Sequence, residues 1–206
     1  MALSKPIERE LMHEREIVLR GYRRTDGRFD IEAHLIDTKS YSFPSDDRGQ
    51  IAAGEPLHEM WVRLTVDEEM VIESCEAVTD HGPYSICPEA AGNFSRLAGL
   101  RIGHGFLKAA AERVGGVAGC THLRELLQQL GTVTFQTLYP VRKRKAALAT
   151  SETKPPLLNS CYAYAASSPV IRRRWPRFYT APEAAPELPA LGPAAGDSAR
   201  SNRQGS

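Results

Sequence analysis

The residues best suited to chemistry in this 206-residue chain are a cysteine and a histidine near its middle. The stretch "GGVAGCTHLREL" places Cys120 two positions before His122, after a glycine-rich segment and before an apolar run. His58 begins a predicted strand, and Cys87 follows another. Thiolate and imidazole are ligands that zinc accepts, and iron–sulfur clusters use the same groups. These four residues are therefore candidate metal ligands.

The Cys120–His122 pair also fits a nucleophilic enzyme. At a helix N-terminus the dipole and the free N–H groups stabilise a thiolate, so Cys120 is a candidate nucleophile with His122 as its base. Residues two apart in a regular helix lie on different faces, so the pair requires Cys120 at the cap, off the helical path. Glu125, one turn after His122, either orients that imidazole or is an ordinary first-turn carboxylate.

Two strand pairs are predicted to position His58. The runs "EIVLRGYRR" and "RFDIEAHLIDTK" flank "TDG", which is typical of a hairpin, and "HEMWVRLTV" and "MVIESCEAVTD" are joined by "DEE". Their alternation of apolar and polar residues predicts a four-stranded antiparallel meander with one face toward a core. His58 shares the core-facing parity of Met60 and Val62, whereas His34 lies on the opposite face.

Helices are predicted after the strands, which is the α+β pattern with helices on one face of the sheet. The predicted helices are "PEAAGNFSRLAGL", "GHGFLKAAAERVGG" and "CTHLRELLQQL". The following stretch, "GTVTFQTLYPVRKRKAALATSETKPP", is predicted to leave the core, and a short strand pair is predicted around "SSP".

The predicted organisation is an N-terminal extension over 1–14, a single α+β domain over 15–180 and a disordered tail over 181–206. The tail is predicted because Ala, Pro, Gly and Ser dominate its composition.

Composition excludes several classes of protein. No apolar stretch approaches the roughly 18 residues of a membrane span, and the N-terminus lacks the order of a signal peptide, so we expect a cytoplasmic protein. A net charge of +1 favours neither nucleic acid nor membrane as a partner. The basic segments 142–145 and 172–177 are interpreted as solvated or protein-docking faces. Without export, the four cysteines are expected to be thiols or ligands, not disulfides.

Chain order predicts that His58, Cys87 and Cys120 meet at one end of the sheet. The spacing is not that of a zinc ribbon, because it contains no C-x-x-C. The alternative is that each cysteine packs as a small hydrophobe and each histidine is hydrogen-bonded. The fourth ligand stays open among His122, Cys161, Asp37 and water.

Two resemblances bear on function. At "GEPLHEMWVRLTVD" and "GCTHLRELL" the chain resembles a bacterial family of unknown function, over roughly Arg15 to Tyr179. Its layout is also similar to the U-type iron–sulfur cluster scaffolds. That resemblance implies that the family's cysteines fall on His58, near Cys87 and on Cys120. The family's aspartate falls on Met60, which is not a hard ligand.

Three hypotheses follow. The first is a cytoplasmic zinc or iron–sulfur protein acting as a scaffold or accessory, with a protein partner. The second is a small enzyme with a catalytic zinc or a Cys120 nucleophile. The third is a metal-free interaction module. The oligomeric state stays open.

Overall fold

The structure, a computed structural model, describes residues 3–148, 154–155 and 157–181. The chain divides into two compact units, Met1–Thr150 and Ser151–Ser206. The predicted disordered tail lies outside the described residues except for Ala181. The predicted domain boundaries at 14/15 and 180/181 stay predictions.

Four long strands form one antiparallel sheet in the first unit. Its order is β1-β2-β5-β6, so each strand lies beside its neighbour in the predicted meander, which is confirmed. The strands are β1 (His13–Arg23), β2 (Phe29–Lys39), β5 (Pro56–Val66) and β6 (Ile72–His81). The segment between β2 and β5 contains a small hairpin of β3 (Phe43–Ser45) and β4 (Gly49–Ile51).

One face of this sheet carries the core. Alternate residues of β2 are buried from Phe29 to Asp37, and the intervening residues are half-buried, as the period-two pattern predicts. Met60, Val62 and Leu64 supply the same face from β5. Burying each such aliphatic side chain contributes about 1.5–3 kcal/mol, so this face is the main source of stability.

Helices follow the strands, which confirms the α+β class. They are α1 (Glu89–Gly92), α2 (Phe106–Val114) and α3 (Thr121–Leu148), with 3₁₀ turns at Asn93–Leu97 and Gly116–Ala118. Helix α3 contacts β1, β2 and β5, while α1 contacts β6. The leucines of "CTHLRELLQQL" are buried in the core cluster, as their helical spacing predicts.

Helix α3 is much longer than predicted, and the prediction that the chain leaves the core after Leu130 is wrong. Gly131, the β-branched residues after it and Pro140 all disfavour a helix, which is why the sequence suggests an end. Packing overrides that preference. Thr134 and Leu138 continue the buried stripe at helical spacing, and the Thr134 hydroxyl donates to the Leu130 carbonyl at 2.7 Å.

The described residues of the second unit form short helices and turns and contain no strand, so the predicted strand pair around "SSP" is wrong. That motif starts α4 (Pro169–Arg174): Ser168 is the N-cap, its hydroxyl oxygen accepts the Ile171 N–H at 3.2 Å, and Pro169 occupies the first turn. Serine followed by proline is a favourable helix start, which explains the outcome. The 3₁₀ turns Tyr162–Tyr164 and Pro176–Phe178 flank α4.

Helix α3 approaches β1 closely at Gly21. A Cβ atom added there would lie 1.9 Å from the Thr137 hydroxyl oxygen and 2.9 Å from its Cβ. Only glycine accommodates this separation without moving the helix or the strand. The contact therefore sets the distance between α3 and the sheet edge.

We expect Gly21→Ala to destabilise the protein by about 1–3 kcal/mol, because the added methyl overpacks this contact. Urea unfolding of the full chain measures the change. Gly103→Ala is the matched control, since a Cβ there meets nothing within 4 Å. Adding Thr137→Ala to Gly21→Ala should recover part of the loss; no recovery would contradict the assigned contact.

Candidate metal centre

Strand register places three polar residues side by side on the inner face of the sheet. Arg15 of β1 pairs with Asp37 of β2, and Asp37 pairs with His58 of β5. Residues directly opposite in neighbouring strands point to the same face. The three side chains therefore meet near the end of β2, as the core-facing parity of His58 predicts.

Asp37 is the centre of this group and is 1% exposed. Its Oδ1 accepts from Arg15 Nε at 2.7 Å and contacts His13 Nε2 at 3.1 Å. Its Oδ2 accepts from Arg15 Nη2 at 2.7 Å and contacts His58 Nδ1 at 3.0 Å. The two bonds from Arg15 form a bidentate pair, the strongest geometry for this interaction.

These contacts keep Asp37 ionised. Burial acts to raise its pKa, but the hydrogen bonds and charge of Arg15 outweigh burial, so the pKa lies below its usual range. The same pair raises the pKa of Arg15. A buried negative charge is thus present at the sheet end.

Helix α3 brings an imidazole to this charge. His122 lies in its first turn, and the His122 ring centroid is 3.9 Å from that of His58 at an interplanar angle of 36°. Asp37, His58 and His122 each offer one ligand atom within 4.8 Å of the other two. Two imidazoles and one carboxylate are a donor set that zinc accepts, and three protein ligands leave one position open.

The surroundings of His58 favour the neutral imidazole, the form that binds metal. Burial and the proximity of His122 lower its pKa, against the opposing effect of Asp37. A neutral imidazole has a lone pair available, whereas an imidazolium does not.

The comparisons place the chain in a family. The family described as "Protein of unknown function (DUF2889)" matches residues 13–136. The chain belongs to this family. The match covers the whole sheet and the first half of α3, and so contains every residue of the Asp37 group. No curated protein and no solved structure matches the chain.

Cys120 lies beside the triad of Asp37, His58 and His122 but is not part of it. Its carbonyl accepts the Arg124 N–H at 3.0 Å, which makes it the cap residue of α3. Its Sγ lies 3.8 Å from His122 Nδ1. Cys120 and His122 can approach each other because Cys120 is at the cap, outside the regular helix in which residues two apart lie on different faces. Within the described residues Cys120 belongs to no group of three ligating side chains.

Cys87 departs from the predicted convergence. It lies in the turn before α1, and a Cβ added to Gly82 would lie 2.7 Å from the Cys87 Cβ, so this thiol packs against the chain leaving β6. No ligating group of three includes it among the described residues. The chain reverses tightly after β6, which turns Cys87 onto its own strand end.

The other two cysteines are not members of the triad either. Cys161 is exposed in the second unit, and Cys75 is buried in β6 as a packed residue. Burial raises the pKa of the Cys75 thiol to about 12. All four cysteines are free.

Arg15 and His13 belong to this group, although neither is a candidate in the sequence analysis. Counting residue pairs outward from the β1–β2 turn places Arg15 opposite Asp37, so the sequence contains the signal for Arg15. Glu125, predicted either to orient His122 or to be an ordinary first-turn carboxylate, accepts from Arg15 Nη1 through its Oε2 at 2.7 Å. The guanidinium thus bridges the buried Asp37 and the exposed Glu125.

Among the described residues, no helix combines the length and the apolar character that a membrane span requires.

His34 lies on the outer face of the sheet, away from the core, as predicted. Its Nε2 contacts Glu59 Oε1 at 3.0 Å.

We expect Asp37→Ala to lower the free energy of unfolding by about 2–4 kcal/mol, because it leaves Arg15 and His58 without their shared acceptor. Chemical unfolding at neutral pH measures this. Glu125→Ala is the control: it removes the exposed partner of the same guanidinium and should cost less than about 1 kcal/mol. Equal losses in the two variants would show that the buried carboxylate has no special role.

Proposed function

We propose that this protein binds one zinc ion through Asp37, His58 and His122. The observation that carries the proposal is the approach of the three ligand atoms to within 4.8 Å of one another. Three separate elements, β2, β5 and α3, supply these side chains.

The spacing is close to that of a bound ion. Zinc–ligand bonds of about 2.0–2.2 Å place tetrahedral ligand atoms roughly 3.3–3.6 Å apart. The three ligand atoms lie within 4.8 Å of one another, so they must move closer together around an ion. The 3.0 Å contact between His58 Nδ1 and Asp37 Oδ2 is a hydrogen bond, and its proton must leave if that nitrogen binds the ion.

Arg15 is the group that must give way. It makes two of the four contacts to the Asp37 carboxylate, so a metal takes over one of these positions. Its third nitrogen already donates to Glu125, which keeps the guanidinium paired after displacement. Asp37 and Glu125 carry two negative charges against the single positive charge of Arg15, and this excess favours binding of a cation.

The donor set favours zinc over an iron–sulfur cluster. Clusters are held mainly by cysteine thiolates. Neither Cys87 nor Cys120 is in the triad, so of the positions implied by the U-type resemblance only the first, His58, takes part. Three ligands and an open position fit a site that admits water or a substrate atom.

We expect the metal-free full chain to bind one Zn²⁺ in calorimetric titration, and His122→Ala to weaken this binding by at least about 100-fold. His34→Ala, a histidine on the opposite sheet face, is the matched control and should bind as the wild type does. Circular dichroism confirms that each variant is folded.

Two outcomes would contradict the proposal. One is a folded wild-type protein that binds no zinc, which would favour a metal-free interaction module. The other is zinc binding that survives His122→Ala but is lost in Cys120→Ser, which would move the site to the cysteine.

A second candidate function is nucleophilic catalysis by Cys120. The 3.8 Å approach of its sulfur to His122 Nδ1 favours it, because nucleophilic cysteine enzymes place a general base beside the thiol. In this role His122 accepts the thiol proton and does not bind metal.

Alkylation tests this second function. With a chelator present at about pH 7, we expect iodoacetamide to modify Cys120 at least about tenfold faster than the exposed Cys161. His122→Gln should remove the difference, and Cys75 should react only after unfolding because it is buried. Peptide mass spectrometry measures the modification rate of each cysteine. Equal rates at Cys120 and Cys161 would contradict the role of Cys120 as a nucleophile.

A further inference from the structure

The outer face of the sheet, away from the core, carries its side chains in rows that cross all four strands. The pairing register defines each row, since directly opposite residues point to the same side. We call the row of Arg20, Glu32, Arg63 and Glu76 the charged row. The adjacent row of Val18, His34, Trp61 and Val78 is the apolar row.

The charged row alternates in sign from β1 to β6. Arg63 Nε donates to Glu32 at 2.8 Å, and its Nη1 donates to Glu76 at 3.1 Å. The Arg63 and Glu76 side chains remain 49% and 67% exposed, so both retain hydrogen-bonding capacity toward a partner.

The apolar row is exposed at its centre and at one end. Trp61 is 38% exposed and Val78 is 41% exposed. The His34 ring stacks on Trp61 with centroids 3.5 Å apart and an interplanar angle of 7°, which holds the indole in a fixed orientation. The indole N–H donates to Asp80 at 2.9 Å. A fixed, exposed aromatic surface of this kind is typical of an interface centre.

We infer that this face is a docking surface for a second copy of the chain, related by a two-fold axis parallel to the strands between β2 and β5. Such an axis exchanges β1 with β6 and β2 with β5, and it maps each row onto itself. Arg20 then faces Glu76 of the second copy, and Glu32 faces its Arg63. In the apolar row Val18 faces Val78, and His34 faces Trp61.

Every charge in the charged row therefore meets its opposite, which identifies the second copy as the occupant. Aligned face-to-face packing of two sheets about 10 Å apart is a common arrangement. Nucleic acid is a poorer partner, because Glu32, Glu59, Glu76 and Asp80 place carboxylates across the same face. The inference does not depend on metal binding.

The size of the face predicts a weak dimer. Four strands about 4.8 Å apart and two rows about 6.8 Å apart give a patch of roughly 20 Å by 14 Å on each copy. A total of about 560 Å² is below the size of most specific interfaces, so we expect a weak dimer that dissociates at micromolar concentrations or above.

Sedimentation velocity of the full chain at about 1–200 μM tests this, because a small interface dissociates in that range. We expect a reversible monomer–dimer equilibrium that weakens with salt. Arg63→Glu sets two carboxylates against each other at both symmetry-related contacts with Glu32, and should weaken association at least about tenfold. Lys108→Glu on α2 makes the same charge change away from the sheet and is the control.

A charge swap across the two sheet edges separates contacts between copies from contacts within one chain. Arg20 on β1 and Glu76 on β6 lie on opposite edge strands, so they face each other only between copies. We expect Arg20→Glu to weaken the dimer and the added Glu76→Arg to restore it, although the new side chains then lie beside the like charges of Glu32 and Arg63 within their own chain. A monomeric wild type at the highest concentration would overturn the inference, as would a dimer unchanged by Arg63→Glu or one not restored by the swap.

Discussion

The buried carboxylate of Asp37 is the constraint on which the candidate site depends. An ionised carboxyl without partners is costly to bury, so it is stable only where donors surround it. Arg15 and His13 supply donors from β1, and His58 supplies one from β5. The charge therefore ties three strands together in one register at the end of the sheet. It also places a negative charge on the inner face, next to the point where two imidazoles gather.

Helix α3 completes this arrangement, and the contacts that hold the helix in place lie away from the site. Its leucine stripe packs on the core, and its middle turns approach β1 at Gly21 and Thr137 with no room for a side chain on the strand. Those contacts hold α3 against the sheet, and its first turn carries His122 beside His58. The cap residue and the first turn then place a thiol and an imidazole on the same side, which a regular helix alone does not do.

The strands and the core-facing parity of His58 could be predicted because a period of two records which face is buried. The length of α3 could not, since Gly131 and Pro140 oppose a helix locally and only packing of Thr134 and Leu138 sustains it. Chain order predicts Cys87 near the site, but the tight turn after β6 depends on contacts that no spacing reveals. Arg15 could be predicted, because counting residue pairs outward from the first hairpin turn places it opposite Asp37. The Cys120–His122 pair forms only if Cys120 is the helix cap, and the sequence does not show whether this condition is met.

The two faces of the sheet carry different chemistry: a buried charge with imidazoles inside, and self-complementary rows outside. Anomalous diffraction at the zinc absorption edge, from crystals of the zinc-loaded protein, tests most directly whether the inner face binds zinc. We predict one peak about 2.0–2.2 Å from a nitrogen of His58, a nitrogen of His122 and an oxygen of Asp37, with Arg15 turned toward Glu125. Crystals that contain zinc only elsewhere, with Arg15 still bidentate on Asp37, would contradict it.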